Sequence, residues 1–146
     1  SDGTPVPEAV RAAVHDLTMI GLDRVVGWMD VAAAEHAWQT GGRALASISQ
    51  CDAATLRAGT LGPVTVIDVR GETEWRAGHV PGAVHIPLGD LPRRLQELPA
   101  TPLVVQCQAG GRSAIAASVL ARAGRQDVTN LTGGYAAWLA SGGTPA

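Results

Sequence analysis

Short runs of apolar, mostly β-branched residues recur along the chain, and helical patterns lie between them. The predicted strands are residues 46–49, 64–68, 84–86, 102–106 and 128–131. The predicted helices are residues 52–58, 72–77, 89–96, 113–123 and 134–141. Because the strongest runs are apolar throughout, both faces of those strands should be buried, which is typical of a parallel sheet. The alternation therefore predicts an α/β fold in which helices cover both faces of an open parallel sheet.

A cysteine and a glycine-bearing loop follow the apolar run at 102–106. The segment is Cys107, Gln108, Ala109, Gly110, Gly111, Arg112 and Ser113, and the helix at 113–123 follows it. Successive N–H groups in such a loop form a concave anion site, and the helix N-terminus adds positive potential. A thiolate is stabilised there, so we expect a nucleophilic Cys107 with a lowered pKa. The carboxyl end of a central strand is also where open α/β sheets bind ligands.

Three polar side chains near this loop are substrate-binding candidates, each with an alternative role. We expect Arg112 to bind an oxyanion of the substrate, and the alternative is local pairing. Ser113 is expected to cap the helix, and the alternative is a hydroxyl bonded to the sulfur of Cys107. Arg70 follows the strand at 64–68. A structural role is favoured for it, and a place in the substrate pocket is the alternative.

Five other residues are interpreted as structural. Cys51 precedes a predicted helix and is expected to be a half-buried thiol; a resolving cysteine would need to come within disulfide distance of the loop cysteine. His79 and His85 lie in Gly- and Pro-rich turns, where we expect them to satisfy backbone groups rather than transfer protons. Trp38 and Trp138 are expected to anchor their helices in the core.

Composition and charge argue against several classes of function. The eleven basic residues are all arginines, they are scattered, and the net charge is −2, so no nucleic-acid partner is expected. No apolar run approaches the roughly 20 residues that span a bilayer, so no membrane partner is expected either. Two distant cysteines without a signal-peptide pattern are typical of a reducing cytoplasm. The four histidines form no metal-ligand pattern, and we expect neither a metal nor a cofactor.

The first part of the chain repeats the pattern of the last part. The matching stretches are residues 19–26 with 122–129, and residues 37–42 with 137–142. Each copy runs through a helix end, a glycine, a short apolar segment and a second helix with Trp before glycine, although the first copy lacks the cysteine. We therefore divide the chain into residues 1–46, a truncated helix–strand–helix segment with its strand around Val25, and residues 47–146, a catalytic domain.

The motifs of residues 47–146 together resemble the rhodanese (sulfurtransferase) family. They are Asp68-Val69-Arg70, the segment from Glu74 to Pro87, the loop from Cys107 to Ser113, and residues 133–138, in the order that the family has them. The resemblance implies the rhodanese fold, with a five-stranded parallel sheet between helices, and a cysteine that cycles through a persulfide.

Residues 1–46 resemble the C-terminal part of a second, cysteine-less rhodanese domain. Such pairs occur in proteins where a metallo-β-lactamase-fold persulfide dioxygenase precedes rhodanese modules. The resemblance implies an upstream domain of that kind, or a second copy of this chain, as a partner.

The sequence thus predicts a sulfurtransferase. It would move sulfane sulfur from thiosulfate or a low-molecular-weight persulfide to a thiophilic acceptor through a Cys107 persulfide, with the small donor and acceptor as partners. One alternative is a non-enzymatic module that docks a partner or relays persulfide within a larger protein. Another is a cysteine phosphatase or arsenate reductase. The Cys-x4-Arg spacing from Cys107 to Arg112 disfavours it, because cysteine phosphatases have one more residue in this loop.

Overall fold

A computed structural model describes residues 6–42 and 44–146, and the chain divides into two compact units, Ser1–Ala46 and Ser47–Ala146. The first unit contains helices α1 (Glu8–Met19) and α2 (Val31–Thr40). The strands of the second unit are β1 (Ser49–Cys51), β2 (Thr65–Asp68), β3 (Val84–His85), β4 (Leu103–Gln106) and β5 (Val128–Leu131). Its helices are α3 (Ala53–Arg57), α4 (Glu72–Arg76), α5 (Gly111–Arg122) and α6 (Gly134–Ala140).

The five strands form one parallel sheet in the order β1-β5-β4-β2-β3. Strand β4 is central, and its residue Val104 pairs with Val66 of β2 on one side and with Thr129 of β5 on the other. All four residues of β4 are buried, as its continuous apolar pattern predicts. The predicted fold class is therefore confirmed, and the loop after β4 emerges at the carboxyl end of the central strand.

Two apolar clusters pack on opposite faces of the sheet. One joins Ile67 and Val105 of the sheet to Leu120 of α5, and all three are fully buried. The other joins Val104 of the sheet to Tyr135 and Trp138 of α6. Because adjacent strand residues point to opposite faces, strands β2, β4 and β5 contribute to both clusters, and helices pack on both faces of the sheet. Trp138 is a core anchor, as predicted.

The boundaries of three predicted elements differ from the sequence expectation. Residues 89–96, predicted as one helix, instead contain two short 3₁₀ turns, Leu91–Arg93 and Leu95–Glu97. Pro92 lacks the N–H that a longer α-helix would use there. The first strand forms at Ser49–Cys51 rather than at 46–49, and α5 begins at Gly111 rather than at Ser113.

The first unit preserves helix-end geometry from the second unit but not its strand. Leu22 N–H donates to Leu17 O at 2.9 Å, as Arg125 N–H donates to Leu120 O at 3.0 Å, and each bond closes a turn through a left-handed glycine. Between α1 and α2 the structure assigns no strand, so the strand predicted around Val25 is wrong. The origin of this unit as a truncated repeat stays a prediction.

Trp38, the counterpart of Trp138 in α2, is 45% exposed, so its predicted place in a core is also wrong. Its indole N–H donates to Ala44 O at 3.2 Å. The first five residues and Arg43 lie outside the described part of the chain, and within that part no helix is both long and apolar enough to cross a membrane.

Candidate active site

The Cys107 sulfur lies in a turn formed by the first residues after β4. The residue is only 2% exposed, and Gly110 N–H donates to its Sγ at 3.2 Å. Gly110 has a φ of +103°, a conformation that favours glycine, and it is the N-cap residue of α5. The chain therefore turns sharply between strand and helix, and the turn directs loop N–H groups at the sulfur, as the sequence predicts.

Burial and hydrogen bonding act in opposite directions on the Cys107 thiol. Burial is the largest single influence and raises its pKa, since a thiolate loses hydration in the protein interior. The Ser113 hydroxyl and the N–H groups of Ser113, Ala109 and Gly110 together outweigh burial, and the pKa falls below its ordinary value. The direction of the predicted shift is thus confirmed, and its cause is donors within six residues of the sulfur.

Ser113 is buried beside the sulfur and does not cap α5. Its Oγ lies 3.5 Å from Cys107 Sγ and 3.0 Å from Gly110 O, and the N-cap position of α5 is Gly110. The expectation that Ser113 caps the helix is therefore wrong, and the alternative that the sequence left open is the one found. A hydroxyl with these two neighbours can donate to the thiolate and turn to the carbonyl when the sulfur is uncharged.

The N-terminus of α6 holds the back of the loop. Tyr135 N–H donates to Cys107 O at 2.7 Å, and Ala136 N–H donates to Gln108 O at 3.1 Å. These bonds draw the loop carbonyls towards α6, which leaves the opposite side of the loop to N–H groups. Gly134 has a φ of +57°, and a Cβ there would collide with Cys107 O and lie 2.9 Å from Ala109 N. The close approach therefore requires glycine.

Arg112 pairs with Glu74 across the mouth of the loop. Its Nη1 and Nη2 each donate to one carboxylate oxygen of Glu74 at 2.7 Å, in a two-pronged contact between α5 and α4. Gly71 N–H also donates to Glu74 Oε2, at 3.2 Å. The pKa of Glu74 falls to about 2, first because of the hydrogen bond from Arg112.

Glu74 is a residue of the site that its sequence context did not indicate. Its partner is 38 residues away, and the contact depends on how α4 packs beside α5. The local pairing of Arg112 was anticipated only as an alternative, without a named partner.

Arg70 is an internal residue at the edge of the site. It is 2% exposed, and its guanidinium bonds both oxygens of Asp68 and, at 2.8 Å, Gly78 O. The guanidinium stacks 4.0 Å from the ring centre of Tyr135, and its Nη1 lies 3.4 Å from Gln108 Oε1. Arg70 thus ties β2 to the active loop and to α6, which fits the structural role favoured from the sequence. Direct binding of substrate by Arg70 stays a prediction.

The rings of His79 and His85 both stack on Trp75. The ring of His79 stacks on the indole with 3.5 Å between centres, and that of His85 with 4.7 Å. Nitrogen Nδ1 of His79 lies 3.2 Å from Trp75 O, and Nε2 of His85 lies 2.9 Å from Arg70 O. Both imidazoles therefore meet backbone carbonyls, as expected from their turns.

Cys51 occupies a different setting from Cys107. Both thiols are free and buried, but Cys51 belongs to the apolar cluster with Trp138, whereas Cys107 belongs to the cluster on the other face. Burial, and then the charge of Asp52, raise the pKa of the Cys51 thiol. The pKa shifts of the two thiols thus have opposite directions, which is the difference expected between a nucleophilic and a structural thiol. In the described residues, no three His, Cys, Asp or Glu side chains come together as a metal site.

The chain also matches the model of a known protein family. The profile of the rhodanese-like domain matches residues 52–141. The chain belongs to the rhodanese-like family. Its matched segment contains the whole sheet except β1, and all the residues of the candidate site.

Several proteins are similar to this chain over part of its length. Over 80 residues the chain is 35% identical to a sulfurtransferase of Allochromatium vinosum. The aligned region is 54% of this chain and 75% of the relative. It is 36% identical over 76 residues to YrkF, a candidate sulfur carrier protein of Bacillus subtilis, covering 51% of this chain. The chain spans only 41% of the length of YrkF. A rhodanese-related protein from Thermoplasma volcanium superimposes with a TM-score of 0.62 at 27% identity, covering 67% of this chain and 97% of its own.

Proposed function

We propose that this rhodanese-like protein is a sulfurtransferase that carries sulfane sulfur as a persulfide on Cys107. The observation that supports this most directly is the donor set around Sγ, in which loop N–H groups and the Ser113 hydroxyl lower the pKa of a buried thiol. Preorganised donors of this kind stabilise negative charge without reorganisation. They serve the thiolate and the terminal sulfur of a persulfide alike.

The reaction has two half-steps. In the first, the Cys107 thiolate attacks the outer sulfur of thiosulfate or of a persulfide; a sulfur–sulfur bond to Cys107 forms, the donor's sulfur–sulfur bond breaks, and sulfite or a thiolate leaves with the electron pair. In the second, an acceptor such as cyanide takes the outer sulfur as thiocyanate and returns the thiolate. Each half-step balances without an oxidant or a metal, and the scheme predicts ping-pong kinetics.

The short loop favours sulfur over phosphorus. A transferred phosphoryl group spreads charge over three equatorial oxygens and needs donors around a wider ring. Here four residues separate Cys107 from Arg112. The two terminal nitrogens of the Arg112 guanidinium, Nη1 and Nη2, are already bonded to Glu74. Phosphatase chemistry therefore has weaker support than sulfur transfer. A relay module would also load sulfur, but it would pass that sulfur to cyanide no faster than a free persulfide does.

The test is intact-mass spectrometry after brief exposure to thiosulfate or glutathione persulfide, combined with a thiocyanate assay. The native protein should gain one sulfur atom and release thiocyanate on addition of cyanide. Cys107→Ser should lose both, because the nucleophile is gone, whereas Cys51→Ser should retain both, because Cys51 lies in the other cluster with a raised pKa. Sulfur loading by Cys107→Ser at the native rate would contradict the assignment.

A further inference from the structure

Glu74 occupies the end face of the Arg112 guanidinium. Both terminal nitrogens, Nη1 and Nη2, donate to its carboxylate, each at 2.7 Å. This face matches the paired oxygens of a carboxylate or a sulfonate. An anionic donor that Arg112 binds with both terminal nitrogens must therefore take the place of Glu74.

Arg112 lies close enough to the active sulfur for their charges to interact. Its pKa is raised first by the hydrogen bonds and then by the charge of Glu74, and further by the Cys107 thiolate. The charges of Arg112 and Glu74 cancel, as do those of Arg70 and Asp68 behind the loop. With the thiolate included, these five groups carry one net negative charge, which a thiosulfate dianion would meet on approach.

Glu74 is held in place by its own helix as well as by Arg112. It accepts the Gly71 N–H at 3.2 Å at the start of α4, and its lowered pKa, about 2, keeps it ionised across the physiological range. The pair is partly exposed, with 40% of the Arg112 and 36% of the Glu74 side chain accessible. An anionic donor can therefore reach the pair, but to be bound by both terminal nitrogens of Arg112 it must displace a carboxylate that has a second hydrogen-bond partner.

We propose that Glu74 determines donor specificity by withholding Arg112 from donor oxyanions, so that the site prefers persulfides over thiosulfate. A persulfide has no sulfonate on the atom next to the transferred sulfur, so it loads Cys107 without opening the pair. Thiosulfate carries its sulfonate there and competes with Glu74 for the same guanidinium. This inference rests on the proposed function, since it names the donor class that the sulfurtransferase uses.

The first experiment measures the rate of sulfur loading in a single turnover with thiosulfate and with glutathione persulfide. Glu74→Gln should raise the thiosulfate rate about two- to fivefold, the factor that corresponds to losing a partly exposed ion pair, and leave the persulfide rate within about twofold. Glu97→Gln is the matched control, because Glu97 also accepts two hydrogen bonds from one arginine, through Nε and Nη2 of Arg94, on an exposed turn. It should change neither rate.

A second experiment does not depend on sulfur transfer. Iodoacetate and iodoacetamide alkylate a thiolate by the same displacement of iodide and differ in carrying a carboxylate or a neutral amide. The ratio of their rates at Cys107, resolved from Cys51 by peptide mass, reports whether Arg112 is free to bind an anion. Glu74→Gln should raise this ratio about two- to fivefold over the native protein and over Glu97→Gln.

The outcomes separate the two proposals. Native protein that takes up sulfur from neither donor would refute the proposed function, while the alkylation ratio would still test Glu74. An unchanged ratio in Glu74→Gln would overturn the role of Glu74. An equal loss of loading rate with both sulfur donors in Glu74→Gln would overturn that role as well, since it would mean that Glu74 only positions the loop.

Discussion

Cys107 shows how neighbouring donors reverse the effect that burial has on a thiol. Cys51 is buried too, yet its pKa is raised, and the difference lies in the N–H and O–H groups that only Cys107 receives. The N–H donors come from loop residues that follow Cys107 directly and were predictable from the sequence, whereas the bond from the Ser113 hydroxyl was only the alternative to a helix cap. Glu74 was not predictable in the same way, because its partner is 38 residues away and the contact depends on packing between helices.

Ser113→Ala should raise the pKa of Cys107. The Ser113 hydroxyl lowers this pKa, so removing it should move the inflection in alkylation rate against pH upward. At neutral pH a smaller fraction of thiolate should slow alkylation by neutral iodoacetamide. The native inflection should lie below about 8.5, the value of a free thiol.

Ser118→Ala is the control for this measurement. Its hydroxyl lies on the same helix and donates to Ala114 O at 3.0 Å, away from the sulfur. Its inflection should match that of the native protein. A native inflection at or above the free-thiol value, or no change in Ser113→Ala, would contradict the hydrogen-bonding account.

The helices and strands of the second unit are predictable where the local sequence pattern matches the burial of the element in the fold. Strands β2, β4 and β5 were predictable because apolar β-branched runs fit positions buried on both sides. The stretch at 89–96 was not, since Pro92 lacks the N–H that an α-helix over these residues would use, and two 3₁₀ turns form there instead. The contact between α6 and the active loop also escaped sequence analysis, although its glycine pair stands in the motif at 133–138.

Gly134→Ala should disrupt the active loop through α6. The added methyl would collide with Cys107 O at a backbone conformation that already favours glycine, so the helix start has to move away. We expect a loss of about 2 kcal/mol or more in the free energy of unfolding and at least a tenfold slower sulfur loading. Urea denaturation and intact-mass kinetics measure the two effects.

Gly89→Ala provides the comparison at element scale. Gly89 is an exposed turn residue without a positive φ, and no atom would lie within 4 Å of an added Cβ. It should change the free energy of unfolding by less than about 0.5 kcal/mol. If Gly134→Ala were as stable and as active as Gly89→Ala, the proposed bracing of the loop by α6 would be wrong.

At the scale of the whole molecule, the two units illustrate what a strand requires. The alternation of strands and helices was enough to predict the parallel sheet of the second unit, because each strand there has neighbours to complete its hydrogen bonds. The first unit has a similar local pattern and the same helix-end bonds, but residues 22–30 remain without strand pairing. Local sequence fixes a helix end, whereas a strand depends on partners that a short segment does not supply.

A chain that starts at Ser47 should therefore keep sulfur loading, because the sheet, both apolar clusters and the active loop lie within residues 47–146. The first unit should instead govern association. Large apolar side chains are exposed there, with Val26 at 91% and Ile20 at 71%, and such side chains lose contact with water when two molecules associate. Sedimentation over a range of concentrations should show self-association of the full chain and a single small species for the shorter one. Equal sizes and equal melting temperatures for the two chains would argue that the first unit contributes neither to assembly nor to stability.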